Sequence, residues 1–357
     1  MKILFLVPYP PKEAPSQRFR FEQYFGILSA RGIVFEVSGF LTPANWRLFH
    51  KPGNYARKTV ALCSGFWRRF LVLFRVFQFD FIFIHREAAP LGPPLMEWII
   101  FFVLRKRIIY DFDDAIWLTD KANEPQLDAF LKWRSKVKSI CRWSYKVSCG
   151  NEFLRDYASQ FNSKAIVNPT TIDTRALHQR HYDGVRDPGK VTIGWTGSHT
   201  TLKYLKPLEP VLQHLENKYH QLRFLVIANQ MPQLTLKSLV FKEWSIQSEI
   251  EDLLKMDIGV MPLDADGWSK GKCGFKVIQY MALEIPAVAS PVGVNMKIIK
   301  NGISGFLCHD QKEWMEKLEL LIADASLRTR LGTEARKDIE TNYSVASNSA
   351  NFLSLFD

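Results

Sequence analysis

Short apolar runs separated by helix-length segments constrain this chain more than any other feature. KILFLV at 2–7, VFEVSGF at 34–40, FDFIFI at 79–84, RIIYDF at 107–112 and KVSCG at 146–150 read as strands of a covered sheet. Between them, PSQRFRFEQYFGILSARG at 15–32 reads as a helix with Ser16 as N-cap and Gly32 past its end. LMEWIIFFVLRK at 95–106 and the segment 126–145 are further helices. Strands alternating with helices imply parallel βαβ units. A second alternating set follows: strand VTIGW, a helix over about 200–219, strand RFLVIA, helix SEIEDLLKM, strand DIGVMPL, helix KVIQYMAL and strand PAVAS. The stretch 168–190 between the two sets is polar, holds Pro169, Gly184, Pro188 and Gly189, and has little periodicity. The expected architecture is α/β: a Rossmann-like doubly wound domain at 1–172, a linker at 173–190 and a second such domain at 191–340. The two are expected to face across a cleft, with a last helix at about 341–357 packed back on the first.

A length of 357 residues also suits two domains better than one core. Formal charge of +11 suits an anionic partner: nucleic acid, an acidic membrane surface or a phosphorylated small molecule. No nucleic-acid recognition motif is visible, so nucleic acid is not expected. Five cysteines without a C-x-x-C pair argue against a disulfide framework and for a reducing cytoplasm. MKILFLVPYP stops at Pro8 without a cleavage site, so no secretory leader is expected. No run reaches the roughly 18 to 20 apolar residues of a membrane span. The nearest, FWRRFLVLFRVFQFDFIFIH at 66–85, is interrupted by Arg68, Arg69, Arg75 and Asp80. It reads as a domain helix and strand, or as an interfacial helix whose Trp67, Arg68, Arg69, Phe70, Phe74 and Arg75 favour anionic lipid.

In open α/β sheets, ligands bind beyond the carboxyl ends of the strands, where helix N-termini offer unpaired N–H groups. GWTGSH puts Gly194, Trp195, Thr196, Gly197 and Ser198 at such an end, where backbone can approach a diphosphate or the glycines merely shape the turn. GKCGFK puts Lys272, Cys273, Gly274, Phe275 and Lys276 at the head of a helix, where ammonium groups and N–H donors can meet an anion. Inside that helix Val277, Ile278 and Met281 form an apolar stripe, with Lys276 and Gln279 on a neighbouring face.

In the first half Arg18 and Arg20 follow the opening strand. FIFIHREAAP brings His85, Arg86 and Glu87 to a strand end, and IIYDFDDAIW crowds Asp111, Asp113 and Asp114 at another. Three acids in four residues require a cation partner or a raised pKa. DFDD also suits Mg²⁺. His178-x-x-His181 has near-metal spacing but no further ligands nearby, and reads as a solvated loop.

Taken in order, GWTGSHTTLKYLKPL, SEIEDLLKMDIGVMPL, GFKVIQYMALEIPAVASPVG, NGISGFL and ADASLRTRLGTEARKDIETNYS resemble glycosyltransferase family 4, as do KVSCGNEF and IVNPTTID in the first half. The resemblance implies the GT-B fold, a nucleotide-diphosphate sugar on the second domain, an acceptor on the first, retaining transfer and no metal cofactor. It assigns donor binding to Gly194, Trp195, Thr196, Gly197, Ser198, Lys272, Cys273, Gly274, Phe275, Lys276 and Gln279, and the acceptor side to Arg18 and Arg20. Asp111, Asp113, Asp114, Arg86 and Glu87 form the implied reaction centre, with Lys272 and Lys276 on the leaving diphosphate. The family's Glu-x7-Glu is replaced by Gly271 and Gln279, and its Arg and Lys after the first strand of the second domain fall on Trp195 and Thr200. The two lysines of GKCGFK are therefore expected to supply the missing cations. The implied function is transfer to a glycan or lipid-linked acceptor in cell-surface polysaccharide biosynthesis, in the cytoplasm and at the inner face of the plasma membrane. The alternative is a nucleotide-sugar-binding protein that has lost transfer.

Overall fold

A computed structural model describes residues 1–49, 51–119, 124–179 and 189–357. His181 and residues 180–188 of the expected linker lie outside that range. The chain divides into two compact units, the first comprising Met1–Thr170, Gly271–Cys273 and Asn348–Asp357, the second Thr171–Lys270 and Gly274–Ser347.

The first unit carries a six-stranded sheet of β1 (Lys2–Val7), β2 (Val34–Gly39), β3 (Phe81–His85), β4 (Arg107–Phe112), β5 (Lys146–Cys149) and β6 (Ala165–Val167). Their order is β2-β1-β3-β4-β5-β6, all parallel. The chain reverses direction across the sheet between β1 and β3, and in a doubly wound sheet that reversal opens a crevice at the carboxyl ends. Near-continuous burial of β1, β3 and β4 explains their uninterrupted apolar sequences.

The expected single helix at 15–32 is instead three pieces, Pro15–Arg18, a 3₁₀ turn at Glu22–Tyr24 and Phe25–Ala30. Phe19, Arg20 and Phe21 are all buried in succession, which no single helical face can achieve. Ser16 does not cap the first piece; that position is Ala14. The expected helix at 126–145 likewise breaks into Gln126–Lys132 and Lys136–Trp143, where Trp133 turns left-handed at φ 48°.

Arg69 corrects the expected lipid-facing basic cluster. It lies in the helix Tyr55–Leu73 and is wholly buried. Its guanidinium donates to the carbonyls of Val7 (2.7 Å), Ser38 (3.1 Å) and Ala88 (2.6 Å), tying together the carboxyl ends of β1 and β2 and the loop after β3. Burial pushes its pKa down to about 9, with Glu97 opposing. Arg68 is half-buried and donates to the Phe40 carbonyl. The aromatic part of that face does reach solvent, with Trp67, Phe70 and Phe74 exposed. No helix among the described residues is long and apolar enough to cross a membrane.

The second unit has its own parallel sheet of β7 (Val191–Gly197), β8 (Leu222–Ala228), β9 (Leu239–Glu243), β10 (Ile258–Met261), β11 (Ala287–Ala289) and β12 (Gly305–Leu307). The order is β12-β11-β10-β7-β8-β9, so this unit's reversal falls between β7 and β10. One face packs Ile193, Trp195, Phe224 and Val226 against Leu212 and Leu215 of the helix Glu209–Lys218 and Leu318 of Gln311–Ala323. His178 is fully buried in this unit and is not a solvated loop residue. Arg336 holds the segment before it by donating to the carbonyls of Thr174 and His178.

Candidate active site

At the second unit's reversal, β7 ends at Gly197 beside the helix Phe275–Ala282. A Cβ on Gly197 would lie 2.5 Å from the tip of the Trp195 ring and 2.8 Å from Lys276 Cε. Glycine at 197 therefore lets Lys276 cross the strand end, its ammonium 5.2 Å from the Trp195 ring centre. The helix begins after Gly274 at φ +67°, a left-handed turn that also leaves no room for a Cβ beside Ile298. Its first N–H groups and its positive dipole end stand at the carboxyl edge of the sheet with Lys276 in the first turn.

Several expected donor residues are core instead. Gly194 lies inside β7, where a Cβ would meet Met256 at 2.2 Å, and Trp195 is 1% exposed. The Thr196 N–H donates to the Tyr280 hydroxyl at 3.0 Å. Extended backbone buries all three, and only Gly197 and Ser198 stand at the strand end. Gln279 is 2% exposed, with its amide nitrogen 3.5 Å from Glu249 Oε1.

Gly271, Lys272 and Cys273 pack in the first unit. Asn151 donates to the Lys272 carbonyl at 3.0 Å, and the Cys273 thiol lies 3.0 Å from the Asp113 carbonyl. Burial raises the Cys273 pKa, so the thiol stays protonated and donates that bond. Lys272 and Lys276 thus fall in different units, and only Lys276 is placed at the end of β7.

In the first unit the acids find cations. The Asp111 carboxylate receives Arg20, His85 Nδ1 at 2.7 Å and the Ser148 hydroxyl at 2.6 Å, all buried. Burial acts to raise the Asp111 pKa, but the Arg20 charge and the His85 hydrogen bond outweigh it and hold the group below the usual carboxylate range. This corrects the expectation that Arg20 and Asp111 line an open rim: both are 1% exposed or less. Arg18 lies against the Phe19 ring at 4.8 Å. Arg86 bridges Asp113 (2.8 Å) and Asp114 (2.5 Å), and Lys136 meets Glu87 at 2.5 Å. Asp113 is also held low, burial being outweighed by Arg86.

Arg86 adopts φ +61°, held by its N–H to the Asp111 carbonyl and its own carbonyl to the Tyr110 hydroxyl, both 2.7 Å. A non-glycine residue in that region costs about 1–2 kcal/mol. The surrounding bonds offset it and aim the guanidinium at both carboxylates. His85 Nε2 is buried with no hydrogen-bond partner among the described residues. Among those residues, no group of three or more His, Cys, Asp or Glu is poised to hold a metal.

Residues 208–338 match the family model of glycosyl transferases group 1. That segment includes the helix Phe275–Ala282. Over 185 residues the chain is 25% identical to the capsular polysaccharide biosynthesis glycosyltransferase CapM of Staphylococcus aureus, covering 48% of this chain and 47% of CapM. The alignment thus spans about half the length of that relative. Among solved structures, Anabaena HepE in complex with UDP and glucose superposes with a TM-score of 0.66 at 14% identity, covering 99% of this chain and 98% of HepE. A glycosyltransferase from Rickettsia africae gives 0.68 at 13% identity, covering 99% and 97%. The fold is GT-B.

Sequence reasoning missed Tyr9 and Trp46, whose rings lie 4.7 Å apart beyond the end of β1. Neither belongs to a motif; the visible signal was a tyrosine set among prolines in PYPP directly after a buried strand.

Proposed function

We propose that this protein is a retaining glycosyltransferase that moves a sugar from a nucleotide-diphosphate sugar to a glycan or lipid-linked acceptor in cell-surface polysaccharide biosynthesis. The observation that carries the reading is the group 1 match over a segment whose helix starts, with Lys276, at the topological switch point of the second unit. The names of CapM and of the HepE complex support polysaccharide synthesis and a uridine nucleotide. The chemistry is a loosening of the C1–phosphate bond to an oxocarbenium-like state on the face the acceptor attacks. The departing phosphate oxygen takes the acceptor's proton, and stabilisation is electrostatic. Lys276 and the N–H groups at the helix start meet the diphosphate. No metal is required in this reading, because Arg20 and Arg86 already engage the carboxylates of the DFDD segment.

Thermal-shift screening against UDP, GDP and dTDP and their sugars tests the reading. A nucleoside diphosphate at 100 times its Kd should add about 2.7 kcal/mol of apparent stability. A flat response to every nucleotide would contradict it. One feature favours a binding protein without transfer: Gln279 stands where the family resemblance implies a carboxylate. Nucleotide-sugar binding with no turnover for any acceptor would favour that second reading.

The cytoplasmic, peripheral location belongs to the same proposal. Exposed Trp67, Phe70 and Phe74, with exposed Arg75 next to Phe74 and an overall charge of +11, suit an anionic bilayer surface. Flotation with phosphatidylserine-containing vesicles should recover the wild type and lose the variant Trp67→Ser plus Phe74→Ser. Equal recovery on neutral and anionic vesicles, unchanged by the double substitution, would contradict membrane docking.

A further inference from the structure

From the first unit's carboxyl edge we infer a stacking platform, formed by Tyr9 and Trp46, for an uncharged pyranose of the acceptor. The inference rests on the transferase reading and adds the chemistry of the sugar that is extended. Its location is set by topology. The order of strands reverses between β1 and β3, and the ends of those two strands carry Tyr9 on one side and His85, Arg86 and Glu87 on the other. Trp46 comes from the short helix Pro43–Phe49, and its ring lies 4.7 Å from that of Tyr9, tilted by 53°. Both residues are only partly buried.

The backbone of Tyr9 is unusually fixed for a loop residue. Gln17, wholly buried, accepts from the Tyr9 N–H at 2.9 Å and donates to its carbonyl at 3.2 Å. Pro8 and Pro10 flank it and restrict φ on both sides. At the end of β2, Gly39 approaches so closely that a Cβ there would lie 2.9 Å from the Tyr9 carbonyl oxygen. Such restraint holds a ring in one orientation, which is what recognition of a rigid ligand requires.

The chemistry around the rings selects the ligand. Aromatic faces carry the negative side of a quadrupole, and the C–H face of a pyranose is their complement. Burial foremost, then Glu87, Asp113 and Asp114 against Arg86, raise the Tyr9 pKa, so its hydroxyl is protonated at neutral pH and sits among those charged groups. These carboxylates can accept from sugar hydroxyls at the ring's edge. The pairing also argues against an anionic ligand: Arg86 is taken by Asp113 and Asp114, and Lys136 by Glu87, so both cations are already engaged. A phosphate or carboxylate sugar would have to compete with these carboxylates for Arg86 and Lys136.

Saturation-transfer NMR on the full chain tests the inference with methyl β-glucoside, methyl β-galactoside and methyl N-acetyl-β-glucosaminide as neutral probes, and glucuronate and glucose 6-phosphate as charged ones. Transfer to the ring protons of at least one neutral glycoside is expected, and to neither charged sugar. Trp46→Leu keeps apolar bulk but removes the flat face, and should weaken that binding by about tenfold or more. Tyr9→Phe keeps the ring and should cost only about threefold. UDP affinity should be unchanged in both variants, and circular dichroism should show both folded. The platform is overturned if no neutral glycoside binds, if binding ignores Trp46→Leu, or if the charged sugars bind better. Failure of the transferase reading looks different: the wild type would then bind no nucleotide, whatever its response to glycosides.

Discussion

Lys276→Ala is expected to lower kcat/KM for a nucleotide-diphosphate sugar by more than about thirtyfold. Withdrawing one charge from a developing diphosphate is comparable to losing one oxyanion donor, roughly 2 to 4 kcal/mol. The side chain lies along the Trp195 ring and past Gly197, so it is held rather than freely rotating, and little entropy remains to be lost when a ligand binds. Affinity for a nucleoside diphosphate should fall by about tenfold or more, whereas the free nucleoside, which lacks the charged group, should bind nearly as before. Isothermal titration of both ligands distinguishes this from a general loss of structure, which would weaken them together. Wild-type kinetics in the variant would return Lys276 to the surface.

Asp111→Asn should strongly destabilise the first unit. Arg20 would remain buried with its main counter-charge removed, and breaking a buried pair from one side costs about 3 to 5 kcal/mol. For a unit of this size that is a fall in Tm on the order of 10 °C. The effect carries a pH signature. Asp111 titrates below its unfolded value, so its contribution is fully present above pH about 4 and disappears as pH falls from there toward the folded value. Calorimetry of both proteins should therefore give a constant gap in stability near neutrality that narrows in acid. A gap under about 1 kcal/mol at pH 7 would mean that the Ser148 hydroxyl and the Asn168 carbonyl suffice to hold Arg20.

Legibility in the sequence followed burial. β1, β3, β4, β7 and β8 are long and enclosed, and their apolar runs announced them. Ala165–Val167, Leu239–Glu243 and Gly305–Leu307 went unseen because they stand at or beside sheet edges, where three to five residues with one covered side leave no distinct pattern. The helix start at Gly274 and Lys276 was visible because turn chemistry is local. Pairing was not: Arg20 and Asp111 are 91 residues apart, and nothing near either one tells that it is buried against the other. The same blindness assigned Gly194, Trp195 and Thr196 to a ligand when the strand had already buried them, and gave Arg69 to a membrane face when it ties the ends of β1 and β2 to the loop after β3. Tyr9 and Trp46 meet only after a strand and a helix have folded beside each other.

The transferase account is tested most directly by the stereochemistry of its product. The full chain is incubated with UDP-, GDP- and dTDP-linked α-sugars and the neutral methyl glycosides, and the new anomeric proton is read by NMR. The account predicts release of a nucleoside diphosphate coupled to an α-linked product. A β-linked product, or no product with any donor, would contradict it.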